Sequence, residues 1–84
     1  MNKWIGFYVK YLSQTDPFDI EIHGWECEGN SSEEALEALE ENPAVPYRRY
    51  LAEIVPLDQK NLWIRESQQE AEQIGVASPK FVIH

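Results

Sequence analysis

Between Asp16 and Glu41 the chain carries ten carboxylates, Asp16, Asp19, Glu21, Glu26, Glu28, Glu33, Glu34, Glu37, Glu40 and Glu41, and not one lysine or arginine. The same stretch spells out a strand, a tight turn, a capped helix and a helix stop, so its charge and its local fold are dictated together. Phe18, Ile20 and Ile22 alternate with Asp19, Glu21 and His23, the period-two pattern of a strand with one buried face. Beyond Gly24 the parity reverses, and Trp25 and Cys27 alternate with Glu26 and Glu28. One extra residue in a strand sends every later side chain to the other face. A bulge at His23-Gly24 supplies it, since glycine tolerates the backbone angles involved. The other reading is a strand buried on both faces.

Gly29-Asn30 closes this strand. Ser31-Ser32-Glu33-Glu34 then reads as a capping box. The Ser31 hydroxyl accepts from the Glu34 amide, and the Glu34 carboxylate reaches back to the Ser31 amide. Glu33 and Glu34 also stand at the positive end of the helix dipole. The helix over residues 32–41 stops at Asn42-Pro43, because a proline restricts the residue before it and carries no amide proton. At about 100° per residue, Glu33, Glu34, Glu37, Glu40 and Glu41 share an arc of roughly 120°. Ala35, Leu36, Ala38 and Leu39 fill the opposed arc. The helix is therefore expected to lie on a sheet, with Leu36 and Leu39 against the face of Ile20 and Ile22, and to show water an acidic ridge.

Eighty-four residues with a net charge of −8 make one domain, 1–84, with a small core. Cys27 is the only cysteine, so no intramolecular disulfide exists. A reducing, cytoplasmic setting is expected. No apolar run approaches the ~20 residues of a membrane span. The excess of carboxylates points away from direct contact with nucleic acid and towards basic proteins.

The remaining segments complete the pattern. Trp4 to Leu12 is a first strand, with Ile5, Phe7, Val9 and Tyr11 on one face. The Ser13–Pro17 loop joins it to the second strand as a hairpin. Tyr47 to Val55 forms a third strand, ended or confined to an edge by Pro56. Ser67 with Glu70 suggests a second capped helix over Gln68–Ile74, stopped by Gly75. Lys80 to His84 has room for a short final strand. The order β-β-α-β-α, with that last strand in reserve, describes an α+β two-layer sandwich. Its three- to four-stranded, mostly antiparallel sheet carries one packed amphipathic helix.

Catalytic chemistry is not spelled out. His23 and Cys27 lie four residues apart, about 13 Å along a strand and too far for a hydrogen-bonded dyad. His23, Cys27, His84 and Glu26 lack the spacing of a zinc site. The glycines are scattered, so there is no phosphate-cradling loop. The chain reads as a non-enzyme with no cofactor and no metal.

The run Cys27-Glu28-Gly29-Asn30-Ser31-Ser32-Glu33-Glu34-Ala35-Leu36 resembles the strand-turn-helix unit of HicB-like antitoxin domains. The whole, a short acidic chain without catalytic motifs, resembles in kind small phage-encoded inhibitors of the anti-CRISPR and anti-restriction type. Dense carboxylates with no bases between them, as from Asp16 to Glu41, suit a surface that mimics nucleic acid and masks a basic groove of a nucleic-acid-binding partner, and that resemblance points the same way. Asp19, Glu21, Glu26, Glu33, Glu37 and Glu40 would form it, with Trp25 as a buried anchor. The alternative is a regulatory or antitoxin-like module that binds protein through an aromatic sheet face.

Overall fold

A computed structural model describes all 84 residues, Met1–His84. It is an α+β sandwich built in the order β1 (Asn2–Tyr11), β2 (Ile20–Gly29), α1 (Ser32–Glu40), β3 (Leu51–Pro56), α2 (Lys60–Ile74) and β4 (Lys80–Ile83). Short 3-10 turns at Arg48–Tyr50 and Leu57–Gln59 lead into β3 and α2. The four strands make one mixed sheet in the order β3-β1-β2-β4. β1 is antiparallel to both of its neighbours, and β4 runs parallel to β2. The final strand is therefore realised, and Pro56 closes an edge strand as its missing amide requires.

β1 and β2 pair without interruption from Asn2 opposite Gly29 to Tyr11 opposite Ile20. There is no bulge at His23-Gly24. The parity reversal marks a strand covered on both faces. Ile22 joins Ile5 and Phe7 in one buried cluster, with Ile20, Val55, Trp63, Ile64 and Phe81 packed around it. Trp25 and Cys27 face the opposite side, that of Tyr8 and Trp4. The only register shift lies between Phe7 and Tyr8 in the β1–β3 pairing, where Glu53 and Leu51 take successive partners and Ala52 is skipped. Phe18 is not part of the strand and is half exposed. The Asp16 carboxylate accepts from the Phe18 amide at 2.9 Å and folds that segment into a turn.

Each helix takes one face. Leu39 of α1 is buried, and its Cδ1 would stand 2.6 Å from a Cβ placed on Gly6. Only the absent side chain lets the helix approach so closely. α1 thus packs on the Gly6 and Tyr8 face, not on the face of Ile20 and Ile22 as expected from its pattern. The latter face belongs to α2, whose Trp63 ring stacks on Phe7 at 4.1 Å and meets Phe81 edge-on. α2 also begins eight residues earlier than Ser67-Glu70 suggests. Half-buried Trp63 and buried Ala71 are eight residues apart, so they share a helix face only if the helix runs unbroken between them. Ser67 therefore sits inside the helix and caps nothing. The expected stop holds: Gly75 adopts a left-handed φ of 78°. Its amide and that of Val76 donate to Glu72 and Ala71, as in a Schellman ending.

The packing makes two substitutions informative. Leu39→Ala should cost about 2–5 kcal/mol in a denaturant titration, since the site is fully buried. In the same titration Gly75→Ala should cost about 1–2 kcal/mol through backbone strain alone, because no atom lies within 4 Å of the place its methyl group would take.

Candidate functional site

α1 is nine residues long, about 13 Å, and it lies on a ten-residue strand of about 33 Å. It therefore covers only the Gly29 end of its sheet face. Ser31 starts it as expected: the hydroxyl accepts from the Glu34 amide at 3.3 Å. The Glu34 carboxylate reaches one residue further back than a capping box requires and accepts from the Asn30 amide at 2.7 Å. Glu33, Glu37, Glu40 and Glu41 are exposed along the outer side. The only ion pair to this ridge is a long one, Arg48 Nε to Glu40 Oε1 at 3.7 Å. No basic residue stands in the last turn. Glu41 thus meets the negative end of the helix dipole uncompensated, at a cost of about 0.3–1 kcal/mol, and Glu40 is offset only by that long contact.

Where α1 stops, the sheet face opens into a cleft of about 490 Å³. Tyr8, Lys10, His23 and Trp25 form its floor, and Pro46, Tyr50 and His84 stand at its sides. His84 continues past β4 and donates its backbone amide to the Gly24 carbonyl at 2.8 Å. This sets its ring flat on Trp25, at 4.1 Å and 2°. Tyr8 meets Trp25 edge-on. His23 Nε2 donates to Glu21 Oε1 at 3.0 Å, which leaves His23 Nδ1 to accept from His84 Nε2 at 2.7 Å. The hydrogen bond from His23 holds the Glu21 carboxyl below its ordinary range, with Lys10 and Lys80 adding to the effect. Burial raises the Tyr8 hydroxyl, helped by the nearby Cys27 and Glu40. Burial also raises the Cys27 thiol. A thiol so placed is a poor nucleophile.

The residues singled out from the sequence divide into groups. Glu33, Glu37 and Glu40 stand together on α1. Glu21 lies in the cleft, tied to His23, and Trp25 is a half-buried wall of that cleft rather than a protruding anchor. Asp19 sits in the exposed turn beyond the far end of β2. Glu26 pairs with Ile5 and so points to the other face of the sheet. The base-free run thus wraps around the molecule. Lys10, Tyr50 and His84 were not legible as site residues. Lys10 shares the Tyr8 face by simple alternation, but His84 is placed only by the parallel pairing of β4. No group of three or more His, Cys, Asp or Glu side chains converges as metal ligands would. No helix is long and apolar enough to cross a membrane.

Compared with known proteins, the chain matches no family model, no curated protein and no solved structure.

The Glu21–His23 contact has a titration signature. A carboxyl held low when folded favours the folded state above its unfolded pKa, and that contribution fades as pH falls through the lower folded value. Removing the hydrogen bond with His23→Ala should therefore move the Glu21 midpoint upward, read by carboxyl NMR shifts. An unmoved midpoint would mean that Lys10 and Lys80 set it instead.

Proposed function

We propose that this protein is a non-catalytic binding protein whose α1 ridge docks on a basic, nucleic-acid-binding surface of a protein partner and masks it. The observation that carries this reading is the density of carboxylates on α1, of which Glu34 is taken up by the Asn30 amide and Glu40 by a long contact to Arg48 while Glu33, Glu37 and Glu41 have no partner. Glu33, Glu34, Glu37, Glu40 and Glu41 fall within nine residues, and Arg48 is the sole counter-ion in reach. Like charges at i, i+3 and i+4 repel, and acids at a helix C-terminus oppose the dipole. The chain keeps an arrangement that weakens its own helix. Local rules broken without compensation inside the fold are characteristic of working surfaces. The density also suits mimicry. Five carboxylates over about 13 Å of axis give one per roughly 3 Å, between the ~1.7 Å of duplex DNA and the ~3.4 Å of one of its strands. Likeness in kind to small phage-encoded inhibitors supports the same reading. Asp19 and Glu26, on other sides of the molecule, add long-range field rather than contacts.

The aromatic cleft supports a second reading, a module that grips a partner's side chain between Trp25 and Tyr50. Its support is that this part of the sheet face lies beyond the reach of α1 and is lined mainly by aromatic rings.

The two readings separate by experiment. The immobilised protein is used to capture partners from lysate at low salt, and association with the purified partner is then measured. Charge reversal of Glu33, Glu37 and Glu40 to Lys should slow association at least tenfold at low salt, with the difference vanishing at high salt. Duplex DNA should compete for the same partner. An association rate unchanged by the triple reversal would overturn the masking reading. Loss of binding in Trp25→Ala alone would then favour the cleft.

A further inference from the structure

The two histidines of the cleft are more constrained than a sheet surface requires. Three separate contacts fix them: Glu21 on the far nitrogen of His23, the Trp25 ring against His84, and the His84 amide on the Gly24 carbonyl. Their near nitrogens, His23 Nδ1 and His84 Nε2, face each other at 2.7 Å. The rings are 20° from coplanar with centroids 5.0 Å apart, so they meet edge to edge. A carboxylate on the far nitrogen of an imidazole is the usual support of a metal-binding histidine, because it fixes the tautomer and raises ligand basicity.

We propose that His23 and His84 form a two-imidazole site for a borderline divalent transition metal, Cu(II) above all. Two nitrogens bound to one ion at about 2.0–2.1 Å lie about 2.9 Å apart at a right angle and about 3.4 Å apart at the tetrahedral angle. The present 2.7 Å is much nearer the right angle. Adjacent positions of a tetragonal Cu(II) or Ni(II) ion therefore ask for little change in separation, whereas tetrahedral zinc asks for more; the two nitrogens now meet head-on across a hydrogen bond, so one ring must turn before both lone pairs meet on the ion. His84, exposed and past the last pairing of β4, supplies that turn in its own plane over Trp25, and the proton on its Nε2 is lost to solvent or moves to Nδ1 as the ion takes its place. No third protein ligand converges, so water completes the coordination sphere. Copper also stands above nickel and zinc in intrinsic affinity for nitrogen ligands. The site rests on the cleft geometry alone and is independent of the proposed masking function.

Trp25 provides the readout, since its ring lies against His84. Titration of the intact protein with Cu(II) should quench tryptophan emission and saturate at one equivalent. The EPR spectrum should show coupling to two imidazole nitrogens. His84→Asn should abolish both signals with an unchanged far-UV spectrum. Glu21→Gln should keep the stoichiometry and weaken affinity by about 10–100-fold. Copper bound by His84→Asn as by the parent protein, or no copper bound by the parent, would overturn the proposal.

Discussion

Leu39 reaches the sheet because Gly6 has no side chain, and that contact fixes the rest of the fold. It brings α1 onto the Tyr8 side of β1. The opposite side, with Ile5 and Phe7, is left for Trp63 and α2. β1 is flanked by β2 and β3, so four consecutive residues, Ile5 to Tyr8, are shut off from solvent. In a domain with only ten buried residues this strand is a large share of the core. A side chain at position 6 would collide with Leu39, and Gly29 makes a second approach of the same closeness to Ala35 at the other end of α1.

The same geometry explains where a partner could work. A nine-residue helix cannot cover a ten-residue strand, because a residue advances about 1.5 Å in the one and about 3.3 Å in the other. The unshielded end of the sheet face becomes the aromatic and histidine cleft. The helix itself turns its carboxylates outward, held by buried Ala35 and Leu39 and a serine cap against its own charge repulsion. Binding of a basic surface would relieve that repulsion, so the local weakness and the proposed function have one origin.

Much of this was legible in the sequence, and the failures have definite causes. The period-two runs gave β1 and β2, the Ser31 and Pro43 signals bounded α1, and Gly75 ended α2. The parity reversal in β2 was visible, but alternation alone cannot say whether a strand bulges or is covered twice. The second answer holds because Gly24 is packed tightly among Ile5, Phe7 and Ile83 on one side while Trp25 is stacked by His84 on the other. The start of α2 was missed because Ser67-Glu70 looks like a cap, and tertiary burial of Trp63 overrides that local preference. The α1 ridge could be read from helical spacing. The cleft could not, since it depends on the parallel docking of β4, which no local pattern encodes. Ten acids adjacent in sequence do not make one surface, because alternation along β2 sends Glu21 and Glu26 to opposite faces.

Residue-resolved native-state hydrogen exchange tests most directly the claim that a doubly covered β1 carries a charge-strained α1. The amides of Ile5, Gly6, Phe7 and Tyr8 should exchange only through global unfolding, and those of α1 should open separately at a lower free energy. Exchange from α1 as slow as from β1 would contradict the account, because the unpaired carboxylates would then cost the helix nothing.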